Sequence, residues 1–193
     1  MPMKETRDTI IEHAFSLFME RGYDSASLAD IVKASGLSKG AVYHHFRDKQ
    51  ELHDAAIEHF FLRFFGAGTS APSPDESLAA VLDDLVAGYE RLLLSVATVT
   101  PDQNAYYRFL FSILPKVRVT LQEAIAATRA RLTQAARNDQ NAGLLAMAHK
   151  PEDVADQCLA MIEGTGLLAT LEGRTDAPDA MRRMLGGYRA SLQ

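Results

Sequence analysis

Apolar residues recur at steps of three and four along most of the chain, and strict apolar/polar alternation is missing. That period belongs to amphipathic helices, and the abundance of Ala, Leu, Glu and Arg agrees with it. The pattern predicts an all-α protein. Ile10, Ile11, Ala14, Leu17 and Phe18 form one stripe of a first helix over about residues 4–21, and Gly22 follows where a left-handed cap is expected. Ser27 opens a second helix, SLADIVKA, with Asp30 placed to complete a capping box and Leu28, Ile31 and Val32 facing inward. That helix stops near Ser35-Gly36. Ser38 caps a third, KGAVYHHF. Asp48 caps a fourth, from about Lys49 to Phe65, in which Leu52, Ala56, His59/Phe60 and Arg63/Phe64 keep helical spacing.

The stretch GAGTSAPSP, residues 66–74, reads as a linker, because small residues, Gly and Pro cluster there with no apolar period. Helices are predicted after it at about 75–98, 102–114, 118–139, 151–173 and 177–191. Pro101, Pro115, Pro151 and Pro178 punctuate them near the expected boundaries. NDQNAG, 138–143, reads as a flexible connection, and no internal repeat is present.

Composition narrows the class. A chain of 193 residues holds one mid-sized domain or a small and a medium one. No run of about 18 uncharged apolar residues occurs, so no membrane span is expected. The N-terminal MPMKETRDTIIEH lacks a signal peptide's continuous apolar core, and the single Cys158 cannot form an internal disulfide. A cytoplasmic protein of bacterial type is the expectation. The net charge of −5 disfavours a nonspecific nucleic-acid coat. Within residues 33–49, however, Lys33, Lys39, Arg47 and Lys49 stand against Asp48 alone.

That local positive charge surrounds SGLSKGAVYHHF, residues 35–46. Two short helices joined by a tight glycine-containing turn make a helix-turn-helix, whose second helix places its N-terminal residues in a DNA major groove. Ser38 and the first N–H groups of the third helix form a positive end suited to a phosphate. Lys39 adds a long cation there. Gly40 costs about 1 kcal/mol relative to Ala inside a helix, which suggests a close backbone approach. Tyr43 offers a rigid ring with a hydroxyl, and Lys49 a second anchoring cation.

Residues 10–52 resemble the DNA-binding domain of the TetR family. The matching features are Ala14, Leu17-Phe18, Gly22-Tyr23, Ser27, Ile31, Gly36, Ser38-Lys39-Gly40, Tyr43, His45-Phe46, Lys49 and Leu52. Ala26 departs from the family's usual Thr, and Val32-Lys33 and Ser35 stand where the family is often Ala-rich. The resemblance implies a helix-turn-helix over 27–46 in a DNA-binding domain of residues 1–50, followed by a helical effector-binding and dimerisation domain over 51–193. It implies a DNA-facing surface of Ser38, Lys39, Gly40, Val42, Tyr43 and His44, phosphate contacts from Ser27, Tyr43 and Lys49, and inward packing of His45 and Phe46. It also implies double-stranded operator DNA and a small-molecule effector as partners of a homodimer.

The remaining clusters divide between core and function. NAYYRFLFSIL, 104–114, reads either as core or as the wall of an effector pocket, with Tyr107, Phe111 and Leu114 on one face and Tyr106, Phe109 and Ile113 on the next. Tyr89, Met161 and Thr165 complete the candidate pocket. Gly164 and Gly166 inside an apolar helix suggest close helix approach. With DAMRRMLGGYRASL they form a candidate dimerisation pair, in which Gly166, Met181, Met184 and Tyr188 are expected at the interface; the alternative is closure of the protomer's own core. His44 and His45 make an implausible metal pair, since adjacent helical residues point about 100° apart. No cofactor and no metal site are expected. Cys158 reads as core. No catalytic constellation stands out, so an enzyme is disfavoured. The leading expectation is a homodimeric repressor released from a palindromic operator by its effector. The alternative is a helical ligand-binding or protein-interaction module that no longer reads DNA.

Overall fold

The computed structural model describes residues 3–62, 73–100 and 103–193, with side chains from residue 6 and, in the last segment, from residue 106. Every regular element among them is helical: α1 (Met3–Arg21), α2 (Leu28–Ser35), α3 (Lys39–His45), α4 (Lys49–Ile57) followed by a π-helical turn (Glu58–Leu62), α5 (Leu78–Ala97), α6 (Gln103–Asn141), α7 (Pro151–Leu171) and α8 (Ala177–Ala190). The fold class is all-α, as the periodicity predicts. Residues 63–65, at the expected end of the fourth helix, the linker residues 66–72 and Pro101 lie outside the described residues.

Two compact units emerge, one of residues 1–63 with 93–116 and one of residues 64–92 with 117–193. In the first, Ile10, Ile11, Ala14, Phe15 and Phe18 of α1 are buried, as are Ile31, Val42, Phe46, Leu52 and Ala56 of the next three helices and their turns. The π turn accommodates one extra residue, and the neighbouring rings of Phe60 and Phe61 are both buried there. Phe60 stacks on Phe15 with centroids 4.1 Å apart, Phe109 meets Phe15 edge-on at 5.0 Å, and Phe61 stacks on Tyr106 at 4.9 Å. The second unit has an aliphatic core built from Leu78, Val81, Leu82, Val86, Leu132, Ala136, Val154, Cys158, Met181 and Leu185. Beside it Arg131, 5% exposed, donates from Nε and Nη2 to the Glu76 carboxylate at 2.9 and 2.5 Å and from Nη1 to Asp84 at 2.7 Å.

Two expected boundaries are absent. Pro115 lies inside α6, so the predicted helices at 102–114 and 118–139 are one. A mid-helix proline costs about 3 kcal/mol or more. Ile113 and Val117 flank it and are both buried, each contributing roughly 1.5–3 kcal/mol, so burial offsets the defect. NDQNAG is not a flexible connection either, because α6 runs through Asn141 and only Ala142-Gly143 turn, with Gly143 at φ 70°. Its polar side chains are engaged. Asn138 donates to the Glu76 carbonyl at 2.8 Å, and Gln140 donates to the carbonyls of Ala146 and His149 at 3.1 and 2.7 Å.

Candidate nucleic-acid interface

The helix-turn-helix is defined by its caps. Ser27 Oγ accepts from the Asp30 N–H at 3.1 Å, and the Asp30 carboxylate accepts from the Ser27 N–H at 3.0 Å, completing the predicted capping box. The Ser27 hydroxyl also donates to Asp30 Oδ2 at 2.5 Å. These bonds, led by the side-chain one, hold the Asp30 carboxyl below the usual carboxylate range. Gly36 ends α2 at φ 66°, a conformation that L side chains rarely adopt and that turns the chain into α3. Ser38 Oγ accepts from the Ala41 N–H at 3.1 Å, and the Asp48 carboxylate accepts from the Glu51 N–H at 2.8 Å.

The four-residue step from Val42 to Phe46 fixes how α3 is turned, because both side chains are buried. Val42, expected on the DNA-facing surface, is therefore part of the domain core, and a fully buried side chain has no surface to offer a base. Phe46 packs inward as expected, with the Arg7 guanidinium 5.2 Å over its ring. The opposite face exposes Lys39, Gly40, Tyr43 and His44. Lys39 Nζ lies 5.5 Å over the Tyr43 ring, so the cation and the hydroxyl-bearing ring share one side of the helix. A Cβ added at Gly40 would meet only Ser38 Oγ, at 3.9 Å. No neighbour within the chain requires a glycine there.

His44 is exposed and His45 half-buried, with ring centroids 5.3 Å apart and planes 71° apart. Among the described residues no group of three or more His, Cys, Asp or Glu could hold a metal. Lys49 is half-buried, and its Nζ donates to the carbonyls of Tyr23 at 2.8 Å and Asp24 at 3.4 Å while lying 4.3 Å over the Tyr23 ring. The sequence reading gave Lys49 only a phosphate role and missed the part of Tyr23, whose place directly after Gly22 at the end of α1 was the available signal. It also missed His53, which is 6% exposed, in contact with the Phe18, Tyr23 and Phe109 rings, and has an unpartnered Nε2. Burial, with Lys116 and Lys49 nearby, lowers its pKa to about 4.

The other candidates fall in different places. Tyr107, Phe111 and Leu114 belong to the first unit, with Phe111 and Leu114 exposed, whereas Tyr106, Phe109 and Ile113 are buried. Tyr89, Met161 and Thr165 belong to the second. Tyr89 packs on the aliphatic core, while Met161 and Thr165 line a groove of about 560 Å³ between α7 and α8 together with Gly164, Leu168 and Met184. Of the residues expected at a dimer interface, Met184 is half exposed and Tyr188 half-buried. Gly166 and Met181 are buried within the protomer. Cys158 is fully buried, and desolvation pushes its thiol up to about 11.

Three helices with capped starts, a left-handed turn and an exposed cationic face on the second helix of the motif define a helix-turn-helix domain. Residues 10–56 match the family model described as bacterial regulatory proteins, tetR family. The chain is similar to the biofilm operon icaADBC negative transcriptional regulator IcaR of Staphylococcus epidermidis, 38% identical over 58 residues, covering 30% of this chain and 31% of that one. It is also similar to the transcriptional regulator TtgR of Pseudomonas putida, 27% identical over 164 residues, covering 83% of this chain and 78% of that one. In fold it resembles SmeT, the repressor of the Stenotrophomonas maltophilia multidrug efflux pump SmeDEF, with a TM-score of 0.61 and 22% identity over 96% of this chain and 89% of that one. SmeT is also known as a complex with triclosan. Residues 10–56 thus match a domain of bacterial regulatory proteins, and the relatives IcaR and TtgR are transcriptional regulators.

Proposed function

We propose that the protein is a DNA-binding transcriptional regulator, a homodimeric repressor released from a palindromic operator by a small-molecule effector. One observation carries the DNA reading: the exposed face of α3 collects Lys39, Gly40, Tyr43 and His44, and nothing in the chain explains the glycine. A single short helix reads few base pairs, so two copies related by a two-fold axis and an operator of matching symmetry follow. The groove between α7 and α8 supplies the dimer surface through Leu168 and Met184, both about half exposed. Met161 and Thr165 open to the same groove and belong with it in this reading. Tyr107, Phe111 and Leu114 in the first unit, and Tyr89 in the second, each remain candidates for effector contact. An effector must bind the DNA-incompetent state more tightly, and a coupling of about 1–3 kcal/mol changes operator affinity by roughly 5- to 150-fold.

Selection from a random-sequence duplex pool tests the reading. The expected product is an inverted repeat whose half-sites are spaced by whole helical turns, bound by a species that sediments as a dimer. Met184→Glu should split that dimer. A pool with no enriched duplex would overturn the proposal.

A further inference from the structure

Charged side chains on the outer faces of α7 and α8 mostly find partners. Glu152 pairs with Arg137, Asp156 with Arg129, and Arg182 with both Glu90 and Asp179. One cleft differs. It encloses about 340 Å³ beside the start of α7 and the end of α8, and His149, Lys150, Asp153, Gln157 and Tyr188 line it. Among the described residues, none of these five side chains is hydrogen-bonded or ion-paired to another protein group. Lys150 is the N-cap of α7 and Asp153 its third residue, close enough in sequence to pair, yet no ion pair joins them. Burial, with Cys158 and Asp153 nearby, holds the Tyr188 hydroxyl above its ordinary value, so it stays a protonated donor. The walls are fixed. The Ala146 N–H donates to the Leu192 carbonyl at 2.8 Å, and Gln140 donates to the carbonyls of Ala146 and His149 at 3.1 and 2.7 Å. Val154 and Leu192, both buried, also line the cleft and give it an apolar base. A cleft already held open loses little affinity to ordering.

We propose that this cleft binds a free α-amino acid, with Lys150 and the His149 ring meeting its carboxylate, Asp153 its ammonium, and Gln157 and Tyr188 its remaining polar atoms. The charges select the class. A simple anion would leave Asp153 beside it, and a simple cation would leave Lys150; a zwitterion answers both. The volume lies at the low end of the roughly 300–1,000 Å³ of small-molecule pockets, which suits a molecule of that size. The site does not rest on the regulator reading, and its test needs no DNA.

Isothermal titration of the full chain with each of the common L-amino acids, singly and at neutral pH, tests it. Gln157 also lines the groove assigned to the dimer, so the protein is used in its native oligomeric state. At least one amino acid should bind with a Kd at or below about 1 mM. The same molecule lacking its carboxylate, or lacking its ammonium, should bind at least about tenfold more weakly, the worth of one hydrogen bond to a charged group. Lys150→Met and Asp153→Asn, each shown to be folded by circular dichroism, should weaken the amino acid by at least about as much. No binding of any amino acid at about ten times that concentration overturns the proposal. So does equal binding of the bare amine or the bare acid, which would make the cleft a site for a single charge. Wild-type affinity in both variants overturns it too, since the ligand would then sit elsewhere.

Discussion

The two units bury polar groups in opposite ways. The first keeps His53 neutral and unpaired among aromatic rings. The second keeps Arg131 charged and satisfies it with Glu76 and Asp84. The difference separates their responses to acid. The folded pKa of His53, about 4, lies below its ordinary 6.5. The unfolded chain therefore binds the extra proton between those values. Its contribution to stability is complete above pH 6.5 and is lost as the pH falls to about 4. Glu76 has a folded pKa below its ordinary 4.5, chiefly because Arg131 donates to its carboxylate. Its contribution is complete above 4.5 and is lost only as the pH falls through the lower folded value. The first unit should weaken in mild acid, and the second only in stronger acid.

The contrast can be broken at its apolar end first. Phe15→Ala removes the ring that Phe60 stacks on and Phe109 abuts, and should cost about 3–5 kcal/mol in urea unfolding. Next comes the histidine. Between pH 6.5 and 4 the wild type should lose roughly 2–3 kcal/mol through His53, and His53→Leu should abolish that loss. Thermal melts of both proteins across this range decide it, and parallel curves would remove His53 as the cause. Arg131→Met strands two carboxylates that retain some solvent, so at neutral pH it should cost about 2–3 kcal/mol and leave the loss between pH 6.5 and 4 intact. The smallest effect has the opposite sign: Gly40→Ala should stabilise the fold by about 0.5–1 kcal/mol because its Cβ meets only Ser38 Oγ, while weakening DNA binding. Unchanged binding would mean that no backbone approach is needed there.

How well each unit can be read from sequence follows from how its helices are bounded. In the first unit short helices cannot stand without caps, so Ser27, Ser38 and Asp48 mark the starts of α2, α3 and α4, and Gly36 marks the turn. Those residues carry their meaning in their own chemistry. Burial of Val42 and the engagement of Lys49 do not, because both depend on which way a seven-residue helix is rolled and on a loop 25 residues away. In the second unit α7 begins on Pro151 and α8 has Pro178 as its second residue, both without a side-chain cap. α6 passes through Pro115 because burial on either side outweighs the local break, and its polar end stays helical because Asn138 finds a backbone partner 62 residues away and Gln140 finds two just beyond the turn. Met181 and Met184 look alike in sequence, yet one is core and the other surface.

The central claim is that the exposed face of α3 is built for DNA. Anisotropy titration of the selected duplex, with wild type beside Lys39→Ala and Tyr43→Ala over a range of salt, tests it most directly. The account predicts at least about fivefold weaker binding for each variant, the lower range for removing one base-edge interaction, with unaltered melting. Wild-type affinity in both variants would contradict it.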